Sequence, residues 1–192
     1  MILAYAIGIL VLLILWFLYY LATGEKDFRK YFMGADGLLS TSKFQFFLWT
    51  IVVIFAYVTI FSARALNGDF DVISTLPENL LIAMGATVTT TATSKAIAVS
   101  KNNGKNLKNK GNKTEDLKIR YLFKDDDDKK HDLSKIQMLA WTFIAIGIFI
   151  IRLLYEVERG NINIPDIDTA LIVLMGLGQG AYLGMKLTNG KK

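Results

Sequence analysis

The sequence predicts an all-α integral membrane protein with five transmembrane helices, arranged as an N-terminal helix followed by two parallel-repeat helical hairpins. Three observations carry that prediction. Of the 192 residues, 53% are hydrophobic, high for a soluble globule. These residues gather into long runs separated by charged stretches. The second half also repeats the first. Ser42-Lys43-Phe44-Gln45 running on to Trp49-Thr50 returns as Ser134-Lys135-Ile136-Gln137 running on to Trp141-Thr142. Leu80-Leu81, Met84-Gly85 and Lys95 return as Leu171-Ile172, Met175-Gly176 and Lys186, at an offset shorter by one residue.

Residues 1–23 form the first element. Ile2 to Ala22 contain no charged side chain, matching the roughly 20 apolar residues that cross a hydrocarbon core about 30 Å thick. A cleaved signal peptide would place a shorter apolar run, about 7–15 residues, behind a basic segment. Trp16, Tyr19 and Tyr20 near the far end suit the water boundary. Residues 24–42 mix Glu25, Lys26, Asp27, Arg29 and Lys30 with Phe28, Tyr31, Phe32 and Met33, a composition for a segment lying in the interface. The first hairpin, residues 43–99, opens behind Ser40, Thr41 and Ser42, whose hydroxyls suit an N-cap. Its helices run over 43–66 and 76–99, joined through Asn67-Gly68 and Pro77-Glu78.

Residues 100–132 turn to Lys, Asn, Gly and Asp, too polar to offset chain entropy by burial, and read as a mobile loop. The run Lys124 to Lys129 matches an enterokinase or epitope-tag sequence, but its flanks are equally charged, which favours a native loop. Its four aspartates lack the spaced ligands of a calcium loop, so no metal is assigned. The second hairpin, residues 133–192, has helices over 133–155 and 169–187, with Pro165 marking the turn.

Charge sets the expected orientation. All of the 22 Lys and Arg residues except Arg64, Arg152 and Arg159 fall in 24–43, 95–135 and 186–192. The positive-inside rule then puts the N-terminus outside and the C-terminus in the cytoplasm of a plasma (inner) membrane, in a multi-pass topology. Both hairpins run in, out, in, which is the pattern of repeats related by an axis along the membrane normal. The opposite side is acidic, with Asp69, Asp71, Glu78, Glu156, Glu158, Asp166 and Asp168 against those three arginines.

Three groups of residues could carry function. Gln45 with Trp49, and Gln137 with Trp141, stand one turn apart on a shared helix face, with Thr50 or Thr142 following; Lys95 and Lys186 also match between repeats. Belt tryptophans, interhelical amides and snorkelling lysines explain all of these structurally, and a lipid-headgroup or ligand site made twice is the sharper alternative. Gly176, Gly180 and Gly184, answered by Gly85, Thr89 and Thr93, form a small-residue stripe for close helix packing. Thr87, Thr90, Thr91 and Ser94 occupy a separate arc, where the second hairpin has Gly178, Ala181, Tyr182 and Met185.

The absence of cysteine excludes thiolate chemistry. A single histidine, and no nucleophile, phosphate-loop or zinc motif, leave an enzyme or a cofactor without residues to build on. Anionic membrane lipid suits the basic segments as well as nucleic acid does, and only Tyr121 and Phe123 offer stacking there. The sequence therefore ranks first a homo-oligomeric ion channel or small-solute pore with a cation lean, lined by the threonine arc. The alternative is a non-conducting scaffold or regulatory subunit that holds a protein partner or anionic lipid.

Overall fold

A computed structural model describes residues 1–25, 27–33, 39–71, 73, 75–101, 122–123, 132–161 and 163–188. Among them the fold is all-helical, with five α-helices: α1 (Ile2–Thr23), α2 (Thr41–Leu66), α3 (Glu78–Lys101), α4 (Leu133–Glu158) and α5 (Thr169–Thr188). All of these except α3 are long and apolar enough to cross a membrane. Thr87, Thr89 to Thr91, Thr93 and Ser94 lower the apolarity of α3. Large apolar side chains such as Leu13, Phe17, Ile151 and Leu177 lie exposed around the outside, as suits a membrane-embedded protein. The expectations for residues 102–121 and 124–131, including the aspartate run, fall outside the described residues.

Local chemistry explains most helix ends. α1 stops at Gly24, which adopts the left-handed conformation (φ 67) and donates its N–H to the Tyr20 carbonyl. Asp27 then caps a single 3-10 turn, Phe28–Phe32, accepting from Arg29 N at 3.1 Å and from the Arg29 guanidinium at 2.7 Å. That hydrogen bond holds the Asp27 carboxyl below the ordinary carboxylate range. Phe32 turns inward onto Phe44 and Phe47, at ring-centroid distances of 5.2 and 4.9 Å.

α2 begins two residues before the predicted start, and the expected hydroxyl cap is not made. The Ser40 and Ser42 hydroxyls share a hydrogen bond of 3.1 Å, and Thr41 Oγ1 donates to the Leu122 carbonyl at 2.8 Å. The second repeat instead uses a carboxylate: Asp132 accepts from Ser134 N and Lys135 N at the start of α4.

The helices α2, α3, α5 and α4 form a ring in that order, with α1 outside it against α2. Hydrogen bonds fix the directions. Gln45 near the start of α2 meets Thr142 in the first half of α4, and Arg64 at the end of α2 meets Asn163 just past α4. Asn79 at the start of α3 meets Ile167 and Thr169 at the start of α5. Thus α2 runs parallel to α4, and α3 to α5. Tyr5 of α1 reaches the Leu154 carbonyl and Glu158 at the end of α4, so α1 runs the other way.

The two hairpins run parallel, as expected of parallel repeats, but this order does not fit a two-fold axis between them. A two-fold axis along the membrane normal would set α2 diagonally across from α4 and bring α2 against α5. Instead α2 packs on α4 and α3 on α5, while neither α2 with α5 nor α3 with α4 forms a comparable interface. The hairpins stack side by side, related by a sideways displacement.

The ring's interior divides along its length. Toward the ends of α2 and α4 it is apolar, with Val52, Ala56, Ile60, Leu80, Ala83, Ala145, Phe149, Leu153 and Met175 in one cluster. Toward the opposite end, called here the Lys43 end, it is polar. Ser42, Gln45, Thr87, Thr90, Ser94, Thr142 and Gln179 are all buried there.

Candidate functional site

The polar half of the core is the part of the molecule that packing alone does not account for. Each helix of the ring contributes to it. From α3, Thr87 Oγ1 bonds its own helix at the Met84 carbonyl (2.7 Å), and Thr90 Oγ1 donates to Gln179 Oε1 on α5 (3.2 Å). Thr91 Oγ1 donates to the Ser42 carbonyl on α2 at 3.1 Å. Ser94 and Tyr182 hydroxyls share a bond of 3.0 Å, and Lys186 Nζ donates to Ser94 Oγ at 2.9 Å. The threonine arc read from the sequence therefore faces α5 and α2 of its own chain. An outward row around an oligomer axis is not what these side chains form.

The repeated phrase is used differently in its two copies. In α2, Gln45 and Trp49 are fully buried, while Thr50 bonds its own helix at the Phe46 carbonyl at 2.9 Å. In α4 the pattern inverts: Gln137 is exposed, Trp141 is half-buried, and Thr142 is the fully buried residue, accepting from Gln45 Nε2 at 2.7 Å. The stacking of hairpins gives the reason. Two parallel helices related by displacement turn opposite faces toward each other. The Gln and Thr of the phrase stand five residues, about 140°, apart around the helix. The face that puts Gln45 at the contact on α2 must put Thr142 there on α4.

The small-residue stripe also lies elsewhere than within the ring. A Cβ built on Gly85, Gly176, Gly180 or Gly184 meets no described atom within 4 Å. Thr89 is exposed and Thr93 half-buried. The close approaches are made by two other glycines. A Cβ on Gly178 would come 3.2 Å from Met138 Cα, and one on Gly8 would come 2.5 Å from Thr59 Oγ1. The Thr59 hydroxyl oxygen, which has no hydrogen-bond partner, thus sits against the Gly8 Cα hydrogens, a weak C–H···O contact.

The matched lysines separate too. Lys95 is exposed. Lys186 is half-buried beside Ser94, with Nζ 3.4 Å from Tyr182 OH and 5.6 Å from the centre of its ring. Sequence reasoning did not single out Gln179, which joins α3 to α5. The available signal was an amide in the middle of a helix whose one charged residue, Lys186, lies in its last turn. Among the described residues no group of acidic or histidine side chains could hold a metal ion.

No protein-family model matches the chain, and no curated protein or solved structure matches it either.

Proposed function

We propose that the chain is a non-conducting scaffold or regulatory subunit of the plasma membrane. In this reading it crosses five times, with the N-terminus outside and the C-terminus in the cytoplasm, as the loop charges favour. The carrying observation is the way α3 and α5 use their faces. Buried polar side chains of the two helices bond one another, through Thr90 with Gln179 and Ser94 with Tyr182. Their glycine face, Gly85 on α3 and Gly176, Gly180 and Gly184 on α5, is open. In lipid, an open glycine stripe lets a further helix approach backbone to backbone. The basic segments on the cytoplasmic side suit anionic lipid headgroups.

An oligomeric pore lined by α3 would need Thr87, Thr90 and Ser94 on the outside of the chain, and these side chains are inside it. Among the described residues the polar half of the interior ends on the cluster of Val52, Ala56, Ala145, Phe149 and Met175, which supports a non-conducting reading. Two measurements test the proposal. Folded protein in liposomes should pass no ion current under voltage. Gly180→Cys, the only thiol in a cysteine-free chain, should crosslink in native membranes to a second copy or to another membrane protein. Sustained ion flux, or a Gly180→Cys thiol that crosslinks to nothing, would overturn it.

A further inference from the structure

Three buried polar groups in the Lys43 half of the core are left over when the hydrogen bonds are assigned. Thr142 donates its single hydroxyl proton to the Met138 carbonyl at 2.8 Å, so it can only accept from Gln45. That fixes the Gln45 amide: Nε2 faces Thr142, and Oε1 is without a partner. Thr90 donates to Gln179 Oε1, leaving Gln179 Nε2 unpartnered; with the amide turned over, Oε1 would be left instead. Trp49, one turn from Gln45 on the same face, has an unpartnered indole N–H. Gln45, Trp49 and Gln179 are each more than nine-tenths buried.

The contacts place these groups along about two turns of the Lys43 half of the ring, with Gln179 beside Met138 and Trp49 one turn past Gln45. Gln45 is bonded to Thr142 of α4. Gly178, next to Gln179, lies against Met138, one turn from Thr142. Thr91, next to Thr90, is bonded to Ser42, three residues before Gln45. Buried groups without partners in an apolar surround are costly, and polar interiors commonly satisfy them with enclosed water making about three hydrogen bonds.

We propose that this stretch of the bundle is a buried hydration site, in which ordered waters accept from Trp49 Nε1–H and Gln179 Nε2–H and donate to Gln45 Oε1. The chemistry of the set selects a neutral guest that both donates and accepts. An anion would need a facing positive charge. The nearest cations of α4 and α5, Lys135 and Lys186, each stand seven residues from Thr142 and Gln179, about 10 Å along the helix, and Arg152 of α4 stands ten residues from Thr142. Lys43 is turned away and donates to the Met33 carbonyl at 2.6 Å. A hard cation would need several oxygen ligands, and among the described residues this stretch leaves no more than Gln45 Oε1 and, with its amide turned over, Gln179 Oε1 without a partner. The site marks the depth at which the polar interior stops, below Phe149, whose ring stands 6.5 Å from that of Trp49.

The test is magnetisation transfer from water in NMR of the full chain, in nanodiscs of deuterated lipid, read at the Trp indole and Gln side-chain N–H signals. The expected result is a water cross peak at both Trp49 and Gln179. Trp49→Phe assigns the indole signal by its loss and should leave the Gln179 cross peak in place. The wild-type spectrum decides the question even if that variant does not fold. Trp49 and Gln179 signals with no water cross peak would overturn the proposal. Water at only one of them would overturn the hydration of the whole stretch.

Discussion

Gly178 and Gly180, two residues apart on α5, respond oppositely to an added side chain if the helices pack as described. A Cβ at Gly178 would lie 3.2 Å from Met138 Cα and 3.4 Å from Met138 N, backbone atoms that cannot swing aside. At Gly180 no described atom lies within 4 Å. Replacing either glycine by Leu gains the same helix propensity, about 1 kcal/mol, so that contribution cancels in the comparison. What differs is overpacking, which costs about 1–3 kcal/mol where a tight contact must open. Gly178→Leu adds three more carbons beyond a Cβ that is already pressed on α4, so the upper part of that range applies. Gly178→Leu should therefore be about 2–3 kcal/mol less stable than Gly180→Leu, with the two Ala variants differing in the same direction by less. Unfolding in mixed micelles titrated with a denaturing detergent, followed by helical circular dichroism, measures both. Equal losses at the two positions, or a larger loss at Gly180, would refute the placement of α5 on α4.

Other outcomes follow from single contacts. Gly8→Ala pushes a methyl against Thr59 Oγ1 and the Phe55 ring, so it should weaken the seating of α1 by about 1–3 kcal/mol. Faster hydrogen exchange confined to α1 would report this, and unchanged exchange would contradict it. A double-mutant cycle on Gln45→Leu and Thr142→Val should give a coupling near the ~0.6 kcal/mol typical of interhelical bonds in membranes, and zero coupling would remove the bond. Arg29 depresses the Asp27 carboxyl. Its cap is therefore fully present at neutral pH, and is lost as pH falls through a value below the ordinary ~3.9. A carboxyl-carbon NMR titration should show that low midpoint, and Arg29→Gln should raise it; an ordinary midpoint in the unsubstituted chain would contradict the pairing.

The sequence located the helices well because each follows from local pattern. The uncharged run after Met1, Pro77 before α3 and the glycine after α1 and α2 all act within a turn of themselves. It did not reveal which faces meet. The threonine arc and the glycine stripe of α3 and α5 are both real periodicities, but periodicity assigns a residue to a face without saying what lies opposite. Gly178 looked like a position where a hydroxyl had been lost, and it is where α5 touches the α4 backbone. The duplication suggested two equivalent units. Side-by-side stacking makes them inequivalent, which is why Gln45 is buried and Gln137 is not. The ring order that decides these matters depends on contacts between residues about 90 positions apart, and no local signal in the chain encodes it.

Thiol crosslinking of α3 tests the central claim, that its polar face is turned into its own bundle, most directly. The chain has no cysteine, so Ser94→Cys introduces a single thiol, and Ser94→Cys with Tyr182→Cys introduces a pair facing each other across a bond of 3.0 Å in the unsubstituted chain. A short bifunctional thiol reagent applied to membranes should lock the pair within one chain, and should leave the Ser94→Cys chain monomeric on a denaturing gel. Covalent dimers from Ser94→Cys alone, with no intrachain product from the pair, would place that face between subunits and contradict the account.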